Sequence, residues 1–271
     1  MADFTLIDLI ELARAAGREI MDVRGRGFDA QTKLDGSIVT IADQRAELII
    51  EQGLAALAPE IPMIGEEAVA DGRIPHCGDR FWLVDPLDGT TGFSKGGDEF
   101  TVNIALVEHG VPTWGVVYAP ATGELFAAEA GAAFSAQCDI ATALPRSTPQ
   151  PIHAAATKPE QWRVIASANS GRDARTSAFV HRLGGAAKHA SSSIKFCLLA
   201  NGEADLYPRF GDVSEWDAAA GHAILRAAGG EIMNLQGEPL RYGDRDGQFL
   251  VRGFLAYANE EARTAALAAM R

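Results

Sequence analysis

The stretch FWLVDPLDGTT, residues 81–91, decides how the chain folds. Its first four residues are apolar, which is typical of a buried β-strand, and the acids Asp85 and Asp88 lie where that strand opens into a turn of Pro and Gly. In such a turn the two carboxylates can converge on one point, and a main-chain carbonyl between them can face the same way. Oxygen ligands of this kind are those that Mg²⁺ prefers. The stretch therefore predicts a metal site at the end of a buried strand.

Two further acidic motifs accompany this stretch. Gly65-Glu66-Glu67 follows the short apolar run 61–64, so both acids are predicted at a strand end. Ser214-Glu215-Trp216-Asp217 opens a predicted helix, and Asp217 would point out of its first turn. The sequence shows no competing constellation of His, Cys or Ser nucleophiles. Acidic motifs at several strand ends and helix starts therefore indicate metal-dependent chemistry.

Each motif also has a purely structural interpretation. Asp85-Pro86 and Asp88-Gly89 are ordinary turn dipeptides. Ser214 and Asp217 have the spacing of a capping box, with Asp in place of the usual Glu or Gln. The two glutamates of the GEE motif, taken alone, are typical of a solvated pair. The combination of the motifs, rather than any one of them, favours the metal hypothesis.

Composition and charge limit the class of protein. At 271 residues, with 47% hydrophobic and 22% charged residues, the chain is predicted to be a globular α/β enzyme with one catalytic unit. A net charge of -12 argues against binding a nucleic-acid polymer, since no basic stripe is available for its backbone. An acidic protein would also repel a phosphate substrate unless cations lay between the two. The acidic motifs supply sites for such cations.

The sequence predicts neither a transmembrane segment nor a signal peptide. Its longest apolar runs stop short of the roughly 20 residues that a membrane-spanning helix needs. The N-terminus carries Asp3, Asp8 and Glu11 in place of a basic region, which predicts an amphipathic helix and a cytoplasmic protein. The three cysteines have no metal-type spacing and are interpreted as buried or incidental thiols.

The hydrophobic periodicity predicts an α/β (α+β) fold in which helices and strands are mixed along the chain. Residues 1–271 are predicted to form a single catalytic domain of two packed halves, about 1–145 and 146–271, joined in the segment rich in Pro, Thr and Ala at 141–159. The predicted helices are an N-terminal helix through Ile20, then 43–57, 176–183, 192–200, 216–230 and one from Asn259. The predicted strands, besides the one in 81–91, are 102–107, 114–119, 125–130, 163–168 and 250–255.

The motifs GEE, WLVDPLDGTT and EWDAAAGHA resemble, in order and spacing, the signatures of the inositol monophosphatase-like family of magnesium-dependent, lithium-sensitive phosphatases. Longer stretches around 98–131 and 191–230 are similar to the CysQ branch of that family, the 3'(2'),5'-bisphosphate nucleotidases. The resemblance covers roughly residues 33–255. It implies a layered αβαβα sandwich of the inositol monophosphatase and fructose-1,6-bisphosphatase type.

The resemblance also implies roles for individual residues. Thr90 and Asp43 would orient the attacking water, although Asp43 could instead merely cap the helix that follows it. Backbone N–H groups of Gly89 and Thr90 would hold the phosphate. Two or three Mg²⁺ ions would activate the water and stabilise the leaving oxygen. The implied metal ligands are Glu66, Asp85, the carbonyl of Leu87, Asp88 and Asp217, and Asp217 would also contact substrate.

The substrate is predicted from a contrast within the family. The inositol-cleaving branch has an acidic residue in the segment where this chain has Arg209, and a guanidinium suits a second phosphate. Ser191, Ser192 and Lys195 could add further donors, with a solvated helix residue as the alternative for Lys195. We expect a nucleotide bisphosphate, 3'-phosphoadenosine 5'-phosphate, to be cleaved to AMP and phosphate, clearing a by-product of sulfate assimilation.

Two other functions stay open. Thr91-Gly92-Phe93 stands where nucleotidases commonly have Lys-Glu-Phe and is closer to the inositol-type pattern, which keeps inositol monophosphate or another small ester as a substrate. A non-catalytic sensor of nucleotides or metals would have lost at least one of the implied ligands, and all are present. A homodimer and peripheral association with the inner membrane are expectations from the resemblance alone.

Overall fold

The computed structural model of the chain describes residues 4–33, 36, 38–129, 131–156, 160–167, 173–243 and 248–271. Its helices are α1 (Leu6–Arg26), α2 (Ile41–Leu57), α3 (Glu66–Ala70), α4 (Thr90–Phe93), α5 (Ala174–Leu183), α6 (Ile194–Ala200), α7 (Glu215–Ala227) and α8 (Glu260–Met270). Its strands are β1 (Ala30–Thr32), β2 (Ile38–Thr40), β3 (Met63–Gly65), β4 (Arg80–Asp88), β5 (Thr101–Glu108), β6 (Val111–Ala119), β7 (Glu124–Glu129), β8 (Ala132–Gln137), β9 (Gln150–Pro151), β10 (Arg163–Ser167), β11 (Ala186–Ala190), β12 (Leu206–Arg209), β13 (Val213–Ser214), β14 (Glu231–Asn234), β15 (Leu250–Val251) and β16 (Phe254–Tyr257). Among the described helices, none has the length and apolar character to cross a membrane.

The larger sheet has seven strands in the order β3-β4-β5-β6-β7-β8-β9. β3 runs parallel to β4, and every later pair of neighbours is antiparallel. The strands predicted at 102–107 and 114–119 are confirmed as β5 and β6. The turn between them contains His109 and Gly110, and both have positive φ. Glycine adopts such a conformation without strain.

The smaller sheet has five strands in the order β11-β10-β12-β16-β14. β10 is parallel to both β11 and β12, whereas β16 is antiparallel to β12 and β14. All its strands come from the second part of the chain, after residue 162. Arg209 ends β12 and thereby lies at one edge of this sheet.

The two sheets and six of the described helices stack as five layers. α1 and α2 cover one face of the seven-stranded sheet, α6 and α7 pack between the two sheets, and α5 and α8 cover the outer face of the five-stranded sheet. Each boundary between layers has its own cluster of buried apolar side chains. The predicted αβαβα sandwich is confirmed, and α7, in its central layer, links the two sheets.

A β-bulge interrupts the pairing of β4 with β5 at the predicted metal site. Asp85 pairs with Asn103 and Asp88 pairs with Thr101, so β4 has one more residue than β5 between these two pairs. A bulge bends its strand and re-aims the neighbouring side chains, and it is frequent beside active sites. Pro86 lies within the bulge, where a residue without an N–H is tolerated.

The prediction of one strand over 250–255 was wrong. The structure has two short strands there, β15 and β16, which pair with different partners. Gly253 separates them with a φ of +77°, and a Cβ at this position would lie 2.8 Å from the carbonyl oxygen of Arg209. The strand breaks because only glycine fits this left-handed turn. Residues 157–159 of the predicted junction, and the last residues of the strands predicted at 125–130 and 163–168, lie outside the described ranges.

Candidate active site

The three acidic motifs meet at one end of the central layers. Glu66 is the first residue of α3, directly after β3, and β3 lies beside β4 in the sheet. Asp85 and Asp88 come from the bulged end of β4, with the main chain of Leu87 between them. Asp217 lies in the first turn of α7, which packs against β4. The fold thus brings together the residues that the motifs single out.

The environment of these carboxylates disfavours their ionised form. Burial raises the pKa of Asp85 well above its usual value, and the nearby charges of Glu66, Asp88 and Asp217 raise it further. Burial also raises the pKa of Asp217 well above its usual value, again with help from Asp88 and Glu66. Like charges crowded out of water repel one another. The site therefore needs a cation to hold all of them ionised.

Lys33 supplies one such cation. Its Nζ lies 3.0 Å from Glu66 Oε1 and 2.7 Å from Glu67 Oε1. Burial alone would lower the pKa of Lys33, but the charge of Glu66 and the hydrogen bonds to both glutamates outweigh it and raise that pKa. Burial still raises the pKa of Glu67 to about 7. Sequence reasoning missed Lys33 because no motif links it to the GEE segment.

The acidic residues fit a hard divalent cation in their chemistry. They offer carboxylate oxygens and a backbone carbonyl, and no sulfur or imidazole, which is the donor set that Mg²⁺ takes. As the side chains lie, no group of three or more His, Cys, Asp or Glu residues in the described ranges could hold a metal ion. Instead Lys33 binds Glu66, and a serine hydroxyl lies against Asp88.

Asp43 caps a helix and also contacts Thr90. Its Oδ2 accepts hydrogen bonds from the backbone N–H of Thr40 at 2.8 Å and from the Thr40 hydroxyl at 2.7 Å, which caps α2. Its Oδ1 accepts from the Thr90 hydroxyl at 2.9 Å. The cap and the contact with Thr90 use different oxygens, so one role does not exclude the other. The cap fixes where Oδ1 points.

Thr90 opens the short helix α4, and Gly89 precedes it in a left-handed conformation with φ 100°. A Cβ on Gly89 would lie 2.9 Å from the carbonyl oxygen of Glu99. The Gly89–Thr90 step can therefore pass close to the following loop only because residue 89 is glycine. The Thr90 hydroxyl also lies 2.9 Å from the Leu87 carbonyl, which ties this step back to β4.

Asp217 forms the cap predicted for it, and this cap does not exclude the predicted contacts with metal and substrate. Its Oδ2 accepts a hydrogen bond from the Ser214 backbone N–H at 3.1 Å, so the capping box predicted from the spacing is confirmed. One carboxylate oxygen is used in this contact. The cap holds Asp217 at the start of α7, on the side of the helix that faces the other acids.

A small pocket of about 110 Å³ adjoins the acids. It brings Asp88 and Asp217 together with three of the predicted substrate residues, Ser192, Lys195 and Arg209. It is lined by Asp88, Ser167, Ser192, Lys195, Phe196, Tyr207, Arg209, Val213, Asp217 and Phe254. Larger cavities of about 770 and 830 Å³ lie elsewhere on the surface and contain none of the predicted ligands.

The cationic residues of this pocket are partly buried. Lys195 is only 6% exposed, and its Nζ donates to the Ser192 carbonyl and lies 5.4 Å from the centre of the Tyr207 ring. The solvated alternative for Lys195 was therefore wrong, because α6 packs between the two sheets. Arg209 Nη1 lies 3.2 Å from Ser167 Oγ. Within the described ranges, the buried Nε of Arg209 and the buried Oγ of Ser192 have no hydrogen-bond partner.

Ser191 takes a different position from Ser192. Its backbone N–H donates to Glu99 Oε2 at 3.0 Å, which joins the β11–α6 connection to the loop after α4. Ser191 does not line the small pocket. Ser192 has a positive φ of 53°, which turns the chain between the two residues. The sequence SSS gave no means of telling these serines apart.

Ser193, the third serine of the run, was not predicted as a site residue. Its Oγ lies 3.0 Å from Asp88 Oδ2 and 2.8 Å from the carbonyl oxygen of Asp217. Asn103 Nδ2 donates to the same Oγ at 2.9 Å. Both side chains are buried. No sequence motif joins 103 to 193, so only the fold could bring them together.

Comparison with known proteins identifies the family. Residues 3–269 match the model of the inositol monophosphatase family. The chain belongs to the inositol monophosphatase family. It is 40% identical to the 3'(2'),5'-bisphosphate nucleotidase CysQ of Shigella flexneri over 255 residues, covering 92% of this chain and 98% of that protein. The nucleotidase CysQ of Escherichia coli strain K12 gives the same identity and coverage.

Solved structures of this family have the same fold. The crystal structure of CysQ from Bacteroides thetaiotaomicron is 33% identical with a TM-score of 0.74, covering 93% of this chain and 96% of that one. The IMPase of Thermotoga maritima is 25% identical with a TM-score of 0.75, covering 96% and 95%. The family and fold predicted from the motifs are confirmed. Together with the nucleotidase relatives, they support a metal-dependent phosphatase enzyme.

Proposed function

We propose that the chain is a 3'(2'),5'-bisphosphate nucleotidase that uses two or three Mg²⁺ ions to hydrolyse the 3'-phosphate of 3'-phosphoadenosine 5'-phosphate, giving AMP and phosphate. One observation carries this proposal. A buried cluster of carboxylates directly adjoins a pocket that contains Lys195 and Arg209. A substrate with one phosphate at the acids and a second at the cations would match both.

The metal ions would lie among Glu66, Asp85, Asp88, Asp217 and the Leu87 carbonyl. When bound, Mg²⁺ would lower the pKa of a water and offset the charge that develops on the leaving oxygen. The role of the chain is to keep these oxygens together although burial and mutual repulsion oppose it. Lys33 contacts Glu66 at Oε1, so Oε2 would be left for an ion.

Thr90 and Asp43 would orient the attacking water. A threonine hydroxyl has one hydrogen, and here it points to Asp43 Oδ1 or to the Leu87 carbonyl, each at 2.9 Å. The lone pairs of the Thr90 oxygen are then left to accept a hydrogen bond from water. Burial raises the pKa of Asp43, and its hydrogen bonds to Thr40 and Thr90 lower it in part. Asp43 is therefore suited to take up a proton.

The second phosphate would bind in the small pocket. Arg209 Nε and Ser192 Oγ are buried without a partner in the described part of the chain, so an anion there would satisfy both groups. Lys195 would add a charge. Backbone N–H groups of Gly89 and Thr90 would hold the phosphate under attack, and Asp217 would contact the substrate as well as metal. Ser191 stays a predicted contact at the edge of this site.

The main alternative is hydrolysis of inositol monophosphate or another small phosphate ester. Thr91-Gly92-Phe93, which follows the acids and forms the rest of α4 after Thr90, resembles the inositol-type pattern. The pocket with Arg209 and Lys195 favours the nucleotide, because an inositol monophosphate has no second phosphate to pair with these cations. A purely binding function is disfavoured because the chain retains the complete set of implied ligands.

The setting of the enzyme is inferred from the same resemblance. The two packed halves would act as a single catalytic domain in the cytoplasm and remove a by-product of sulfur assimilation. A homodimer, and peripheral association with the inner membrane, remain predictions of the resemblance.

The direct test is to identify the products. Purified protein with Mg²⁺ and 3'-phosphoadenosine 5'-phosphate should yield AMP and phosphate in equal amounts, separated by chromatography. Release should stop in EDTA, return with added Mg²⁺ and fall in Li⁺. Adenosine 3'-phosphate as the product would mean that the wrong phosphate was assigned, and no release with Mg²⁺ would contradict the proposed activity.

A further inference from the structure

The Asn103 and Ser193 side chains form a buried hydrogen-bonded pair directly behind the acids. Asn103 is 0% exposed and Ser193 is 1% exposed. Asn103 lies on β5, opposite Asp85 of β4, and residues opposite each other in a sheet project from the same face. Ser193 immediately precedes α6. The pair therefore connects the sheet that carries the acids with the helical layer beneath them.

The direction of the hydrogen bonds follows from simple chemistry. A serine hydroxyl has one hydrogen and can accept others, whereas the amide Nδ2 of Asn103 can only donate. Asn103 Nδ2 lies 2.9 Å from Ser193 Oγ, so it donates to Ser193. The hydrogen of Ser193 is then left for Asp88 Oδ2 at 3.0 Å or the Asp217 carbonyl at 2.8 Å. Asn103 thus points the serine hydrogen toward these two residues.

This contact engages only one oxygen of Asp88. Asn103 also forms a hydrogen bond with the Asp88 side chain, so two buried donors restrain the rotation of this carboxylate. The same serine hydroxyl reaches the main chain of α7 at Asp217, so it also sets the distance between β4 and the start of that helix. Partners of this kind, which hold a metal ligand without touching the metal, commonly change metal affinity by about 10- to 100-fold when removed.

We infer that Ser193, oriented by Asn103, is a positioning residue that holds Asp88 in the geometry required to bind metal. The inference rests on the proposed role of Asp88 as a ligand. It assigns a function to two buried residues that do not touch substrate or metal themselves. A merely structural role would change stability, but it would leave the affinity for metal unchanged.

The test measures metal binding without turnover. Calorimetric titration of the purified full-length chain with Mn²⁺, in the absence of substrate, should show that Ser193→Ala and Asn103→Ala each weaken binding by about 10-fold or more. Ser193→Thr, which keeps the hydroxyl, should restore binding to within about threefold of the original protein. The Ser193→Ala and Asn103→Ala double variant should lose less binding free energy than the two single losses added together, because the two residues bind each other and both bind Asp88.

A matched control lies on α5, on the outer face of the five-stranded sheet. Thr176 is buried and its hydroxyl donates to Asp173 Oδ2 at 2.9 Å, so Thr176→Val removes a comparable hydrogen bond and should leave metal affinity unchanged. Melting temperatures in EDTA would show that each variant is folded. Should Ser193→Ala fail to fold, Asn103→Ala and Ser193→Thr would still test the idea.

The variant Asp88→Asn distinguishes the positioning role of Ser193 and Asn103 from the role of Asp88 as a metal ligand. If Asp88→Asn loses Mn²⁺ binding while Ser193→Ala and Asn103→Ala bind as tightly as the original protein, the positioning role is overturned and the ligand assignment stands. If Asp88→Asn binds normally, the ligand assignment itself is wrong. Additive losses in the double variant would also contradict a shared contact.

Discussion

The candidate site has an acidic side and a cationic side, and the two sides require ligands of opposite charge. The acidic side consists of Glu66, Asp85, Asp88 and Asp217. On that side burial and like charges raise the pKa of Asp85 and Asp217, so the ionised form is costly. On the cationic side, Arg209 Nε is buried without a partner among the described residues. One side needs cations and the other needs an anion.

Asp88 belongs to both sides. Burial raises its pKa, while the charge of Lys195 and the hydrogen bond from Ser193 lower it in part. Under the proposed function, metal ions would neutralise the acidic side and the cations of the other side would hold the remaining phosphate, so that an acidic protein could bind an acidic substrate. Removing either side should therefore impair a different step, and the predictions below test that division.

The largest effect is expected on the acidic side. Asp88→Asn should lower kcat/KM by at least about 1,000-fold, since it removes a charged oxygen from the proposed metal site. The melting temperature in EDTA should not fall, because a buried repelling charge has been removed. Asp98→Asn, which changes an exposed aspartate, is the matched control and should keep full activity. Near-normal turnover by Asp88→Asn would contradict the metal assignment.

A smaller and more selective effect is expected on the cationic side. Arg209→Ala should lower kcat/KM for 3'-phosphoadenosine 5'-phosphate by about 100-fold, or about 2.7 kcal/mol. The loss for adenosine 3'-phosphate, which lacks the second phosphate, should be under about threefold. Steady-state kinetics on both substrates, with Arg26→Ala at an exposed position as the control, would measure this. Equal losses of kcat/KM on both substrates would mean that Arg209 does not bind the second phosphate.

The smallest effect concerns pH. A carboxyl group whose pKa is higher in the folded than in the unfolded protein binds more protons when folded, so its contribution to stability falls as pH rises through that range. For metal-free protein, Glu67 should therefore lower the melting temperature as pH rises from about 4.5 to 7, and Asp85, whose pKa is raised well above its usual value, should add to this loss. Because metal binding requires deprotonated ligands, Mn²⁺ affinity should rise over the same range.

The variant Asp85→Asn measures the contribution of Asp85 to this pH dependence of stability. The amide cannot ionise, yet it keeps the oxygen that accepts from the Leu87 backbone N–H at 3.0 Å. In EDTA the variant should be more stable than the original protein, by a margin that grows as pH rises above the usual range of an aspartate. Calorimetric melting at several pH values would measure the margin. A margin that shrinks with rising pH would show that Asp85 is ionised at little cost.

How well each side could be predicted depended on the spacing of its residues. The ligand candidates lie in three compact motifs, and strand ends and helix starts are local features, so the sequence patterns predicted the motifs. That the three motifs form one site was implied by the family resemblance. Lys33, Asn103 and Ser193 act through partners far away in the chain, at Glu66 and Asp88. Such contacts depend on the packing of layers, which no local pattern encodes.

Burial and backbone conformation were also beyond local patterns. Lys195 could be a solvated helix residue by its sequence, but α6 packs between the two sheets and buries it. The three serines before α6 are chemically alike. The positive φ of Ser192 turns the chain, so that Ser192 lines the pocket whereas Ser193 faces Asp88. The left-handed turn at Gly253 divided a predicted strand for the same kind of reason.

The central claim is that the cationic side selects a substrate with two phosphates. It is tested most directly by measuring kcat/KM, with Mg²⁺, for 3'-phosphoadenosine 5'-phosphate and for inositol 1-phosphate on the same preparation. We expect a preference of about 100-fold for the nucleotide, which corresponds to about 2.7 kcal/mol. A preference for inositol 1-phosphate would contradict the claim and move this protein to the inositol branch of its family.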